Sequence, residues 1–171
     1  MNKTKILLAL LAAASLNIAH AANPNDAQIA AIVVAANTVD IDAGKLAESK
    51  TKNKEVRAFA QRMVADHSGV NKQAVALVQK LHVTPEENDT SKSLTQGGAA
   101  ARDKLKALSG SAFDKAYVDN EVSYHQTVLD AIDKTLIPSA SNAELKALLT
   151  KVRPAIAAHL EHAQHMQAQM K

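Results

Sequence analysis

The chain has no cysteine and no tryptophan, and it carries only two Phe and two Tyr in 171 residues. Without cysteine there can be no disulfide, no thiolate metal site, no cysteine nucleophile and no lipidated cysteine, so packing alone must stabilise the fold. So few aromatics provide no stacking platform for bases. Charge provides no basic stripe either: the formal net charge is +3, and setting aside Lys3 and Lys5 leaves 18 basic residues against 17 acidic ones. Nucleic acid is therefore excluded as a partner. Glycine and proline are also scarce, at five and four, while Ala, Leu, Lys and Gln abound, a composition that favours helix. Beyond the N-terminus the most apolar stretch is Ala27–Ala36, too short to span a bilayer.

The N-terminus reads as a secretory signal. Lys3 and Lys5 form a positive start, Ile6–Ile18 is mostly apolar, and Ala19-His20-Ala21 is a small-x-small cleavage site. The expected organisation is a signal peptide at 1–21 and a single domain at 22–171. The expected location is periplasmic or secreted, with no transmembrane segment after cleavage.

Hydrophobic periodicity predicts four long helices. Ile29, Val33, Ala36, Asp40, Ala43 and Ala47 fall on one face of a first helix over Asn25–Ser49. Asn53 caps a second helix running to Val83, with Val56, Ala60, Met63, His67, Val70, Ala74, Leu77 and Leu81 facing inward. The polar stretch Asn88–Gly98 reads as a loop and Ala99–Leu108 as a short helix. Ser111, with Asp114 completing a capping box, opens a third long helix striped by Val118, Val122, His125, Leu129, Ile132 and Leu136, and Pro138 stops it. Ser141-Asn142-Ala143-Glu144 is the capping box of a fourth, whose stripe is Leu145, Leu149, Val152, Ile156, His159, Ala163, Met166 and Met170. Pro154 should kink or restart this last helix. The fold expected is all-α, an antiparallel four-helix bundle with a short extra helix between helices two and three.

Four polar residues interrupt these apolar stripes: Asp40, His67, His125 and His159. At about 1.5 Å of rise per residue, all four fall within one turn of the bundle's midplane. Three imidazoles and a carboxylate suit a divalent transition metal such as zinc, copper, iron or manganese. Asp66, Glu121 and Tyr124 are placed to support the histidines from behind. The competing reading is a metal-free polar layer that fixes helix register, with Asp40 paired to imidazole. A weaker signal overlaps: His162 and Met166 stand one turn apart near the end of helix four, as Met63 and His67 do on helix two, and imidazole with thioether favours copper. Glu-x-x-His, needed twice for a dinuclear carboxylate iron site, occurs nowhere. His-Glu-x-x-His, phosphate loops and nucleophile elbows are likewise missing.

The segments Val56-Arg57-Ala58-Phe59-Ala60-Gln61-Arg62-Met63-Val64-Ala65-Asp66-His67 and Leu108-Ser109-Gly110-Ser111-Ala112-Phe113-Asp114-Lys115-Ala116-Tyr117-Val118, with His125 and His159-Leu160, resemble a bacterial family of exported proteins known as domain of unknown function 4142. The resemblance runs over about Gln28–Ala163. It implies a ferritin-like helical bundle, export, and central histidines at matching places. Members are often labelled outer-membrane proteins; read as a barrel, that label does not fit the helical pattern. The chain departs from the family at two points. Asp40 or Asp42 stands where members carry Glu before Gly-Lys-Leu-Ala, and Tyr124 stands where Asp often precedes the helix-three histidine. Three functions follow as expectations: a metal-binding bundle in envelope stress protection, a metal-free interaction module of the envelope, and a redox enzyme at the same site. Binding is favoured over catalysis. A protein partner is not specified, and a homodimer is left open.

Overall fold

The computed structural model describes residues 23–170, so the expected signal peptide lies outside the described residues. Within them every regular element is helical: α1 Asp26–Lys50, α2 Lys54–Lys80, α3 Asp89–Lys106, α4 Gly110–Ala131, a π-helical segment Ile132–Leu136, α5 Ile137–Ser139 and α6 Ala143–Gln169. α1, α2, α3 and α6 each begin where a side chain satisfies orphan N–H groups. Asn25 and Gln28 form a reciprocal capping box at α1, and Asn53 accepts from Glu55 and Val56 at α2.

The structure departs from the sequence reading at several helix ends. Residues 89–98 are helix, not loop. Asn88 accepts from the Ser91 amide at 2.9 Å while the Ser91 hydroxyl accepts from the Asn88 amide at 3.0 Å, a capping box with serine in place of the usual Glu or Gln. The segment looks like a loop because only one face of this helix is covered, with Ser91 and Gly98 buried and Leu94 partly so. Gly98 lets α3 approach α1: a Cβ there would stand 2.5 Å from a Val39 methyl. Ser111 is not a cap. Ser109 holds that position without a side-chain bond, Gly110 takes a left-handed φ of 58°, and Asp114 accepts from the Thr51 hydroxyl at 2.5 Å, tying α4 to the α1–α2 turn. Asn142, rather than Ser141, caps α6. Asp26 accepts from the backbone amides of Ser141 and Asn142, joining the start of α1 to that of α6. Pro138 does not stop its helix, which passes through the π segment to Ser139. Pro154 lies inside α6, which runs on without a break.

Packing yields a helical bundle. α1 lies along α2 and α3, and α4 lies along α6. Two apolar clusters make up the core. One holds Ala43, Ala47, Phe59, Met63, Phe113, Tyr117 and Met166; the other holds Ile29, Ile32, Ala74, Ile132, Leu149 and Ile156. Along α1, α2, α4 and α6 alike, the stripe passes from one cluster to the other through a polar interruption. A buried polar layer therefore divides the core, and that layer is the site.

Candidate metal centre

Asp40, His125 and His159 are each 1% exposed, His67 4% and Glu121 0%. Polar groups at this depth are costly unless paired or coordinated. Ring centroids of His67, His125 and His159 stand 5.4–5.6 Å from one another, and one ring nitrogen of each lies within 4.8 Å of those of the other two. Asp40, Glu121 and His125 form a second such group. α1, α2, α4 and α6 thus each send at least one side chain into a single layer.

Hydrogen bonds on the outer side of each ring decide which nitrogen faces inward. The Asn37 amide nitrogen donates to the Val33 carbonyl at 2.8 Å, which leaves its oxygen to face His67 Nδ1 at 2.7 Å. That oxygen can only accept, so Nδ1 of His67 carries a proton, and in the neutral ring Nε2 presents a lone pair. His125 Nδ1 lies 3.0 Å from the Glu121 backbone carbonyl, which fixes the same tautomer. His159 is reversed: Nε2 donates to the Asp66 carboxylate at 2.9 Å, leaving Nδ1 bare. The three inward nitrogens, His67 Nε2, His125 Nε2 and His159 Nδ1, have no hydrogen-bond partner among the described residues.

Asp40 stands among these nitrogens. Its Oδ2 is 2.6 Å from His67 Nε2 and 3.4 Å from His125 Nε2, an ion pair with His67 when that ring is protonated and a shared approach to a cation when it is not. Oxygen and nitrogen atoms this close could hold a metal ion between them. Two donors on bonds of about 2.1 Å to a tetrahedral ion stand about 3.4 Å apart. The Asp40–His125 pair has that separation, whereas Asp40 and His67 would open by several tenths of an ångström. The histidine group, and the Asp40, Glu121 and His125 group beside it, could each hold a metal ion.

The carboxylates are held in different states. Burial works to raise the Asp40 carboxyl, but the positive charge of a protonated His67, its approach at hydrogen-bond distance and, secondarily, the charge of His125 outweigh it and hold it below the usual carboxylate range in the metal-free site. Burial, reinforced by the Asp40 charge, pushes Glu121 well above that range. Its Oε2 lies 3.4 Å from His125 Nδ1. Burial lowers His125, with the neighbouring His67 ring adding to the effect, and brings His159 down to about 4. Imidazoles kept neutral are imidazoles free to coordinate. Burial likewise raises the Tyr117 and Tyr124 hydroxyls.

A sequence model of the family described as Domain of unknown function (DUF4142) matches residues 11–166. The chain belongs to that family. No curated protein and no solved structure matches it. In this DUF4142 chain, Asp40 rather than Asp42 enters the layer; Asp42 pairs with Arg102 at 2.5 Å near the surface. Asp66 adjoins His67 in sequence but supports His159 from across the bundle. Tyr124 does not touch an imidazole nitrogen and donates instead to the Ala36 carbonyl at 2.8 Å. Met63 and Met166 are buried in an apolar cluster, and the His162 ring meets the Phe59 edge at 5.1 Å, so the imidazole–thioether set does not form part of the layer. Asn37 was not singled out from the sequence. Its signal was present all the same: an amide on the inner side of α1, one turn before Asp40.

Proposed function

We propose that this protein binds one divalent transition-metal ion through His67, His125 and His159, with Asp40 as fourth donor, and serves metal binding in envelope stress protection rather than turnover. The observation that carries the reading is the common polarity of the three rings. Each donates its outer N–H to an oxygen and turns an unpartnered lone pair inward, the arrangement in which outer hydrogen bonds orient histidine ligands. Export enters through the N-terminal pattern of Lys3, Lys5 and Ala19-His20-Ala21. A metal-free polar layer accounts for Asp40, paired with His67 at 2.6 Å, but leaves His125 Nε2 and His159 Nδ1 without hydrogen-bond partners among the described residues.

The test is metal uptake by chelator-stripped protein. Zinc, copper, iron or manganese at a hundredfold excess over its dissociation constant should stabilise the fold by about 2.7 kcal/mol, a rise of several degrees in Tm. Joint replacement of His67, His125 and His159 by leucine should abolish the shift. Failure of all four ions to bind stoichiometrically would overturn the reading.

A further inference from the structure

A cavity of about 370 Å³ leads from the apolar cluster that holds Ile32, Ile132, Leu149 and Ile156 to the polar layer. Its size falls within the range of small-molecule sites. Val33, Val70, Val128, Leu149, Val152 and Ile156 supply much of its wall, drawn from α1, α2, α4 and α6. The π segment contributes Ile132, Thr135 and Leu136; the extra residue in a π turn re-aims side chains, and such turns recur at functional sites.

The inner end differs in kind. Asn37, His67 and His125 reach the cavity, whereas Asp40, Glu121, Asp66 and His159 do not line it. Imidazoles and an amide therefore line its polar end, with the Asp40 carboxylate just behind the two rings. His67 Nε2 and His125 Nε2 are buried and without a hydrogen-bond partner among the described residues. A largely apolar cavity with imidazoles at one end and no acidic group in its lining fits, once a cation offsets Asp40, a molecule with a hydrocarbon tail and one anionic oxygen head. Against an ion of charge +2, whose donor set includes the single Asp40 carboxylate, such a head is attracted as well as accommodated.

We propose that the cavity binds a medium-chain monocarboxylate, tail among the valines and leucines, head at His67 and His125 as a further oxygen ligand of the bound ion. The head position rests on the metal reading above; the tail site rests on the cavity alone.

Calorimetry with sodium decanoate tests this, run on zinc-loaded and chelator-stripped protein, with acetate as a head without a tail and decanol as a tail without a charge. Decanoate should bind one to one to the zinc form, at least tenfold more tightly than to the stripped form and more tightly than either control. Ala131→Phe fills the cavity from α4 and should abolish decanoate binding while leaving zinc stoichiometry unchanged. Val152→Phe, from α6, serves the same purpose if the first variant folds poorly. Absence of decanoate binding to the zinc form, or wild-type binding in a folded, cavity-filled variant, would overturn the proposal. If the protein takes up no zinc, the metal reading fails separately. Decanoate binding to the metal-free chain that is lost on cavity filling then upholds the carboxylate site, and absence of such binding overturns it.

Discussion

Replacing Asn37 by leucine removes the group that orients His67 without touching any donor atom. Asn37 is 6% exposed, and its amide spans two fixed contacts, 2.8 Å to the Val33 carbonyl and 2.7 Å to His67 Nδ1. Leucine nearly matches its shape, so the loss is chemical more than steric. Freed of its acceptor, His67 can rotate or switch tautomer and turn its proton toward Asp40. Removing such outer partners typically weakens metal affinity 10- to 100-fold, or about 1.4–2.7 kcal/mol. The stripped protein should also lose about 1–3 kcal/mol, because the His67 N–H is left buried without an acceptor. Zinc competition against a chromophoric chelator measures the affinity; urea unfolding measures the stability. Thr38→Ala is the control. Its hydroxyl makes a comparable 2.8 Å bond to a backbone carbonyl but faces outward, so its dissociation constant should stay within threefold of wild type. An Asn37→Leu affinity within that same threefold band would refute the claim that the outer amide sets the tautomer.

Three further outcomes follow from the same geometry. Glu121 has a raised carboxyl, so the folded, metal-free chain keeps a proton that the unfolded chain releases, and stability falls as pH rises above the ordinary value of 4.5. Glu121→Gln should therefore stabilise the stripped protein by about 1–3 kcal/mol at pH 8, a gain that shrinks toward pH 4.5; a gain independent of pH would contradict the assignment. His159 is lowered from 6.5 to about 4, and His125 is lowered too. Their contribution is complete above pH 6.5 and is lost as pH falls toward 4, with about 2 kcal/mol from His159 after allowing for partial solvent screening. Unfolding of metal-free wild type and His159→Gln across that window should diverge accordingly, and parallel curves would count against it. Gly98→Ala should cost about 1–3 kcal/mol by overpacking, since its Cβ would meet both Val39 methyls at 2.5 and 2.7 Å. The neighbouring Gly97→Ala, with nothing within 4 Å, should instead stabilise. Thermal unfolding of the two variants shows whether their signs differ.

Much of the fold is legible in the apolar stripes, because a helix buried on one side repeats its pattern every turn. The pairing of α1 with α2 and of α4 with α6 follows from short turns that leave the chain no other neighbour to reach. α3 is harder to read: covered on one face only, it carries the composition of a loop along most of its N-terminal half. The π segment leaves no mark at all in the stripe, since Ile132 and Leu136 keep helical spacing. In the site, Asp40, His67, His125 and His159 stand out because each is a polar residue at an inward position. Their partners are less visible. Asp66 reaches His159 through the rotation of α2 against α6, which no single helix encodes, and Glu121 acts on His125 through its backbone carbonyl, which any residue could supply.

The central claim is that three imidazoles are locked with their lone pairs turned inward, and ¹⁵N NMR of the histidine rings in stripped and zinc-titrated protein tests it most directly. In the stripped form, Nδ1 of His67 and His125 and Nε2 of His159 should carry protons. One equivalent of zinc should then shift His67 Nε2, His125 Nε2 and His159 Nδ1 together, leaving the rings of His162 and His165 unmoved. Opposite tautomers, or three site rings unchanged under excess zinc, would contradict the account.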